Sequence, residues 1–183
     1  MSRKALTLAA ALVSGITAIS VVPTDSSSRA EAQRRGVVGP VRANLMYVAN
    51  AGSSDLYEIQ SSQLAAQRAR RSDVRSFAQM MVADHNRTTQ LVMDAARSDG
   101  LSPPPPMLMP RHRQMLRQLE RAAPRDFDRM YLTQQLAAHQ EALTLHRTRA
   151  RQRDGSALTR VAASAVPIVQ GHLQHVRQLS RGR

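Results

Sequence analysis

The chain has 183 residues, the length of one domain with short extensions, and its formal net charge is +13 at pH 7. It has no cysteine, which excludes disulfides, thiol catalysis and acylation on cysteine, and its aromatic content of 3% is too low for base stacking, so we expect no nucleic-acid binding. The basic excess favours contact with anionic surfaces, although a solvated arginine face would give the same charge.

The first 32 residues match a secretory signal peptide. Basic residues stand at positions 3 and 4, an apolar run follows over residues 5–22, and residues 30–32 read Ala-Glu-Ala, a small-x-small cleavage site. A retained membrane anchor is the alternative, but the run is short and diluted by hydroxyl residues. We therefore expect an exported protein of the periplasm or outer envelope, with no transmembrane span in the mature chain.

Residues 33–43 contain Gly36 and Gly39-Pro40 and are predicted to be a flexible mature N-terminus. Apolar and small residues then recur every three or four positions, which predicts helices over about residues 44–70 and 73–99. Glu58 falls among small residues on the first helix, and His85 falls on the apolar stripe of the second. The turn between the two helices is short, so we expect them to be antiparallel neighbours.

A long connection follows, because four consecutive prolines at positions 103–106 cannot continue a helix. It contains a short amphipathic helix over about residues 112–122. Two further long helices are predicted, to about residue 152 and over about residues 156–180, and their apolar stripes carry His139 and His172. The fold class is therefore all-α, a ferritin-like four-helix bundle over residues 44–180 with a long crossover between its second and third long helices.

Counting residues from the turns gives the depth of these polar groups. Glu58 lies 13 residues before Arg71 and His85 lies 14 after it. His139 lies 13 residues beyond Asp126, and His172 lies 18 beyond the last turn. At about 1.5 Å per residue, the four groups are predicted to meet within one helical turn of a common level.

Several short motifs together resemble an exported bacterial ferritin-like family, the domain of unknown function 4142. The motifs are Tyr57-Glu58-Ile59, Leu64-Ala65, Val74-Arg75, Phe77-Ala78, Met81-Val82, Asp84-His85, Phe127-Asp128, Tyr131, His139 with Glu141-Ala142, Val166-Pro167 and His172-Leu173. The resemblance runs from about residue 45 to 176 and implies a periplasmic or outer-envelope bundle without an established activity, in which the recurring acid and histidines match Glu58, His85, His139 and His172. One departure is the run Gly52-Ser53-Ser54-Asp55, which leaves Asp55 without an assigned place.

Three imidazoles and one carboxylate suit one divalent transition metal ion, zinc more clearly than nickel or copper. Asp84 and Glu141 flank these candidate ligands and are predicted to support them from behind. A di-iron centre would need glutamates three positions before two of its histidines, where this chain has Val82 and Val169. The alternative to a metal site is a structural hydrogen-bond network of the same four side chains.

No Ser-His-Asp order and no phosphate-binding loop indicates catalysis, so the sequence favours a non-catalytic envelope protein with a stress-related or structural role. The competing interpretation is a basic interaction protein that contacts anionic envelope polymers or lipid surfaces. Arginines crowd both turns of the predicted bundle and are the candidate contacts: Arg68, Arg70, Arg71, Arg75, Arg147, Arg149, Arg151 and Arg153.

Overall fold

The computed structural model of the chain describes the backbone of residues 26–182 and the side chains of residues 39–182. Residues 1–25 of the predicted signal peptide lie outside the described residues, so that prediction stays a prediction. The chain divides into two compact units, Met1–Gly36 and Val37–Arg183. The described part of the first unit is helical, and the second contains the bundle.

Five helices and no strand are present in the described part of the chain. Four are long and one is short: α1 (Ser26–Arg68), α2 (Ser72–Ser98), α3 (Pro110–Glu120), α4 (Pro124–Ala150) and α5 (Ala157–Arg181). These elements confirm the predicted all-α class and the short helix within the crossover. None of the described helices is long and apolar enough to cross a membrane.

The first helix is longer than the sequence indicates. The segment 33–43, predicted to be flexible, is helical, and α1 continues through Pro40. A helix is costly to nucleate but gains one backbone hydrogen bond for each residue added. Glycine and proline in this segment therefore lower the stability of this part of α1 without ending the helix.

Side-chain contacts between helices establish the topology. The phenol of Tyr47 near one end of α1 bonds His146 near the end of α4, and Ser62 further along α1 bonds Tyr131 near the start of α4. Helices α1 and α4 are therefore antiparallel. The early residue Phe77 of α2 shares a core cluster with the late residue Ala65 of α1, and Val92 of α2 shares the other cluster with Tyr47, so α2 also runs opposite to α1. The crossover therefore joins parallel helices, as in ferritin-like bundles.

The crossover reaches α4 by passing closely over α1. A Cβ atom placed on Gly52 would lie 3.1 Å from the Cβ atom of Pro106, which is tighter than ordinary van der Waals contact. Beside it, the hydroxyl of Ser53 accepts a hydrogen bond from the Met109 amide at 2.8 Å and bonds Nδ1 of His112 at 2.7 Å. Gly52 and Ser53 thus seat the crossover on the bundle.

The apolar core is split into two clusters. The cluster near the α1–α2 turn is built around Phe77, Met81, Phe127 and Tyr131. The cluster near the α4–α5 turn is built around Tyr47, Val92, Ala96 and Leu158. Between them the helices contribute a layer of buried polar side chains, which we call the polar layer: Ser54, Asp55, Glu58, Ser61, Ser62, His85, Gln135, His139 and His172.

Candidate metal centre

The three predicted histidines meet in the polar layer. His85 of α2, His139 of α4 and His172 of α5 are 3%, 1% and 5% exposed. Their ring centroids lie 5.4–5.7 Å apart in every pairing. One ligating atom from each ring lies within 4.8 Å of the corresponding atoms of the other two. Three helices therefore bring three imidazoles to one point.

The ring of His85 is fixed by a buried carboxylate. Its Nδ1 lies 2.7 Å from Oδ1 of Asp55, and the other oxygen of Asp55 accepts hydrogen bonds from the hydroxyls of Thr88 and Thr89 at 3.0 Å. Because a carboxylate accepts, Nδ1 of His85 donates, and in the neutral ring Nε2 carries the lone pair. The Nε2 atom is buried and has no partner among the described residues.

Hydrogen bonds also orient the rings of His139 and His172. Nδ1 of His139 donates to the main-chain carbonyl of Gln135 at 2.8 Å, and Nε2 of His172 donates to Oδ2 of Asp84 at 2.9 Å. In the neutral rings the lone pairs are therefore on Nε2 of His139 and Nδ1 of His172, and both atoms lack a partner among the described residues. Imidazole rings that ligate metals are held in this way, by a carboxylate or carbonyl on the remote nitrogen.

Glu58 supplies the fourth group from α1. Its side chain is 1% exposed, and Oε1 lies 3.5 Å from Nδ1 of His139, too far for a hydrogen bond. Neither carboxyl oxygen has a hydrogen-bond partner among the described residues, and the same holds for Oε1 of Gln135. Three nitrogens and three oxygens with unused lone pairs are thus buried in one layer.

Electrostatics in the polar layer reflect this crowding. Burial raises the pKa of Glu58 to about 8, with His85 opposing the shift, and burial lowers the pKa of His139 to about 3, helped by the charge of His85. Burial also lowers the pKa of His172. For His85, burial acts downward, but the hydrogen bond and charge of Asp55 outweigh it, and the pKa is raised.

The donor set fits one divalent cation. Zinc–nitrogen bonds of about 2.0–2.1 Å in a tetrahedral site place two donors roughly 3.4 Å apart. The ligating atoms lie within 4.8 Å of one another, so the three rings would have to approach each other by up to about 1.4 Å. A divalent ion would also balance the negative charge of the Glu58 carboxylate. Asp55 and Asp84 would add negative charge through their hydrogen bonds to His85 and His172. In contrast, Val82 and Val169 occupy the positions where a di-iron centre needs bridging glutamates, and these residues do not fit such a centre.

Asp55 is the supporting residue that sequence reasoning left unplaced. It lies one helical turn before Glu58, on the same face of α1, and this spacing was the available signal. Of the two predicted supporting acids, Asp84 does contact a histidine. Glu141 instead lies half-exposed, where it pairs with Arg111 at 2.7 Å, because its position on α4 turns it away from the core.

Several arginines predicted to face an anionic surface are engaged within the protein. Arg149 is 4% exposed and donates to Asn44 and Ser156, and it pairs with Asp154 at 3.0 Å, so it is not a surface residue. Arg68 donates to the carbonyls of Glu120 and Ala122 at 2.8 Å.

Two more of the predicted arginines are used in a similar way. Arg75 donates to the carbonyls of Ala69 and Arg70, and Arg71 pairs with Asp73. These guanidinium groups satisfy carbonyls left open at helix ends. The exposed members of the predicted set are Arg70, Arg147, Arg151 and Arg153.

Comparisons with known proteins agree with this architecture. The family model described as Domain of unknown function (DUF4142) matches residues 29–179. A solved structure with a TM-score of 0.57 and 13% sequence identity is a bacterioferritin-related protein from Bacteroides fragilis, described as a dodecameric thioferritin; the match covers 75% of this chain and 84% of that one. At this identity the likeness shows a ferritin-like fold alone. No curated protein sequence matches the chain significantly.

Proposed function

The chain belongs to the DUF4142 family, and from that premise we propose that its bundle binds one divalent transition metal ion through His85, His139, His172 and Glu58. The observation that supports this most strongly is the meeting of three buried imidazoles, each with one nitrogen hydrogen-bonded and the other unpaired among the described residues. A purely structural network would be expected to pair these atoms with each other, because an unpaired buried polar atom costs free energy.

The bound ion would serve a non-catalytic role in an exported envelope protein. The support for export is the N-terminal pattern of basic residues, apolar run and Ala-Glu-Ala site. The mass of the protein recovered from its own cells tests this part, because cleavage after residue 32 removes a defined N-terminal segment. An intact N-terminus on a cytoplasmic protein would contradict it.

Elemental analysis of the purified protein tests metal binding. We expect about one equivalent of a transition metal, with zinc favoured by nitrogen-rich coordination. His139→Gln should lose most of this metal, because it removes one of the nitrogen ligands at the centre of the cluster. The matched control is His146→Gln, since His146 is also a buried histidine of α4 but lies outside the three-histidine cluster, with its Nδ1 bonded to the phenol of Tyr47.

The two variants must first be compared by circular dichroism, so that loss of fold is not read as loss of metal. A folded His139→Gln protein without metal, beside a metal-bearing His146→Gln protein, is the expected result. Equal metal contents in wild type and both variants, or no metal after loading with zinc, cobalt, nickel or copper, would contradict the proposal and leave the hydrogen-bond network as the explanation.

A further inference from the structure

A cleft opens at the end of the bundle that carries the α1–α2 turn. It encloses about 450 Å³, which is in the usual range for small-molecule sites. Its rim carries four arginines, and the apolar side chains of Leu132 and Leu179 line it below. We name it the end cleft; its arginines are Arg70, Arg71, Arg125 and Arg129.

The rim is held rigidly by Asp128 of α4. Its two carboxylate oxygens accept hydrogen bonds from the main-chain amides of Arg70 and Arg71, each at 3.0 Å. Arg71 in turn donates to the carbonyl of Leu179 at 3.0 Å. Three elements are therefore tied together around the opening, and the carboxylate of Asp128 is occupied by the chain itself.

The charge of the end cleft is positive but partly compensated. Arg129 pairs with Asp126 at 3.0 Å, and Arg125 lies 3.5 Å from the same carboxylate. A guanidinium has five N–H groups, so one such pair leaves donors free and limits the movement of the side chain. Arg70 and Arg125 are both exposed, and their charges are the most accessible to a ligand.

The ligand chemistry follows from rim and floor together. Planar guanidinium groups match the oxygens of a phosphate through paired, charge-assisted hydrogen bonds. An inorganic anion would contact the arginines alone, whereas a phosphate ester with a hydrocarbon part would also contact the apolar lining of the cleft, which includes Leu132 and Leu179. We infer that the end cleft binds the phosphate group of an amphiphile, and that this amphiphile is a phospholipid bound by its headgroup.

Binding to vesicles of phosphatidylcholine with and without phosphatidylglycerol tests this inference on the full-length protein. We expect co-sedimentation only with the anionic vesicles, and competition by dihexanoyl-phosphatidylglycerol below its micelle-forming concentration but not by equimolar inorganic phosphate. Binding of the short-chain ester without binding to vesicles would also support the phosphate-ester site, and would assign its source to a soluble molecule.

Two double variants with the same change of charge separate a site from general attraction. The variant R70Q/R125Q should weaken binding about tenfold, since it removes two charge-assisted contacts. The control R151Q/R153Q removes two exposed arginines of the last turn and should change binding less than twofold. Equal weakening in both variants, no weakening in R70Q/R125Q, or binding of wild type to neither the vesicles nor the short-chain ester would overturn the inference. None of these outcomes depends on whether the protein binds a metal.

Discussion

Five histidines of the bundle are buried to a similar degree, but they are bonded in two different ways. His85, His139 and His172 are 1–5% exposed, and each keeps one ring nitrogen without a partner among the described residues. His112 and His146 are 6% and 5% exposed, and their Nδ1 atoms bond the hydroxyls of Ser53 and Tyr47.

The difference between the two groups shows that burial alone does not distinguish a candidate metal ligand from a structural histidine. In the cluster, one nitrogen of each ring is hydrogen-bonded, the other is buried and unpaired among the described residues, and the three rings lie 5.4–5.7 Å apart. In His112 and His146, which we call the paired histidines, a hydroxyl of α1 bonds Nδ1 and the ring packs against a tyrosine of α1 instead of against other histidines. Substitutions should therefore affect stability in one group and metal binding in the other.

The largest expected effect is at a paired histidine. His112→Ala removes the bond to Ser53 and the stacking of its ring on Tyr57, whose centroid lies 5.4 Å away. We expect a loss of about 3 kcal/mol in the free energy of unfolding, from the cavity and the lost partner together. Denaturant unfolding measures it, and metal content should stay at the wild-type value. Loss of the metal from a folded His112→Ala protein would break the comparison.

The second-largest expected effect is a loss of metal affinity at the three-histidine cluster. Glu58→Gln keeps the shape of the side chain but removes a charged ligand, and we expect metal affinity to fall roughly a hundredfold, which is about 2.7 kcal/mol. The stability of the metal-free protein should not fall, because an unpaired buried carboxyl group contributes little to it. Competition with a chromogenic chelator measures the affinity. Glu141→Gln, a surface acid paired with Arg111, is the control and should bind metal like wild type.

The third prediction concerns the paired histidine His146 and the pH dependence of the free energy of unfolding. Burial lowers its pKa, while Asp55 acts upward, His85 acts downward, and Tyr47 bonds its ring. Below about pH 6.5 His146 is protonated in the unfolded chain but stays neutral in the folded protein. The free energy of unfolding therefore falls as the pH drops. His146→Gln should reduce that slope by up to about 1.4 kcal/mol per pH unit, measured by urea unfolding of metal-free protein between pH 7 and pH 5. Identical slopes in wild type and variant would contradict the assignment.

The smallest effect tests how the crossover supports His112. Gly52→Ala would place a methyl group 3.1 Å from Pro106, and we expect a loss of about 1 kcal/mol as the crossover shifts. Gly171→Ala on α5 meets nothing within 4 Å and should instead stabilise its helix by up to about 1 kcal/mol. Thermal unfolding compares the two, and stabilisation by both substitutions would show that the contact with Pro106 costs less than the gain in helix propensity.

Sequence reasoning reached the fold and the meeting of the histidines for a geometric reason. Helix periodicity and the lengths of the turns are backbone properties, and counting residues from a turn fixes how deep a side chain lies. His85, His139 and His172 therefore come together as the counting predicts. Glu58 lies in the same layer, although its carboxyl group is not hydrogen-bonded to any of them.

Which side chain supports which ring did not follow from the sequence. Counting gives depth along a helix but not the small rotations that decide whether Asp55 or Glu141 faces the core. The burial of Arg149 has the same cause. Its guanidinium group turns inward because Asn44 accepts a hydrogen bond from it and Asp154 forms an ion pair with it. Such choices depend on packing between helices that are distant in the chain.

The polar layer between two apolar clusters also fixes the register of the bundle. If one helix slid by a single turn, about 5.4 Å, its carboxylate or imidazole would be pressed against Phe77 or Val92 and an apolar residue would replace it among the histidines. An uninterrupted apolar core would tolerate such a slip far better, since one aliphatic contact can be exchanged for another. The same atoms that make a candidate ligand set therefore leave the four long helices one permitted alignment.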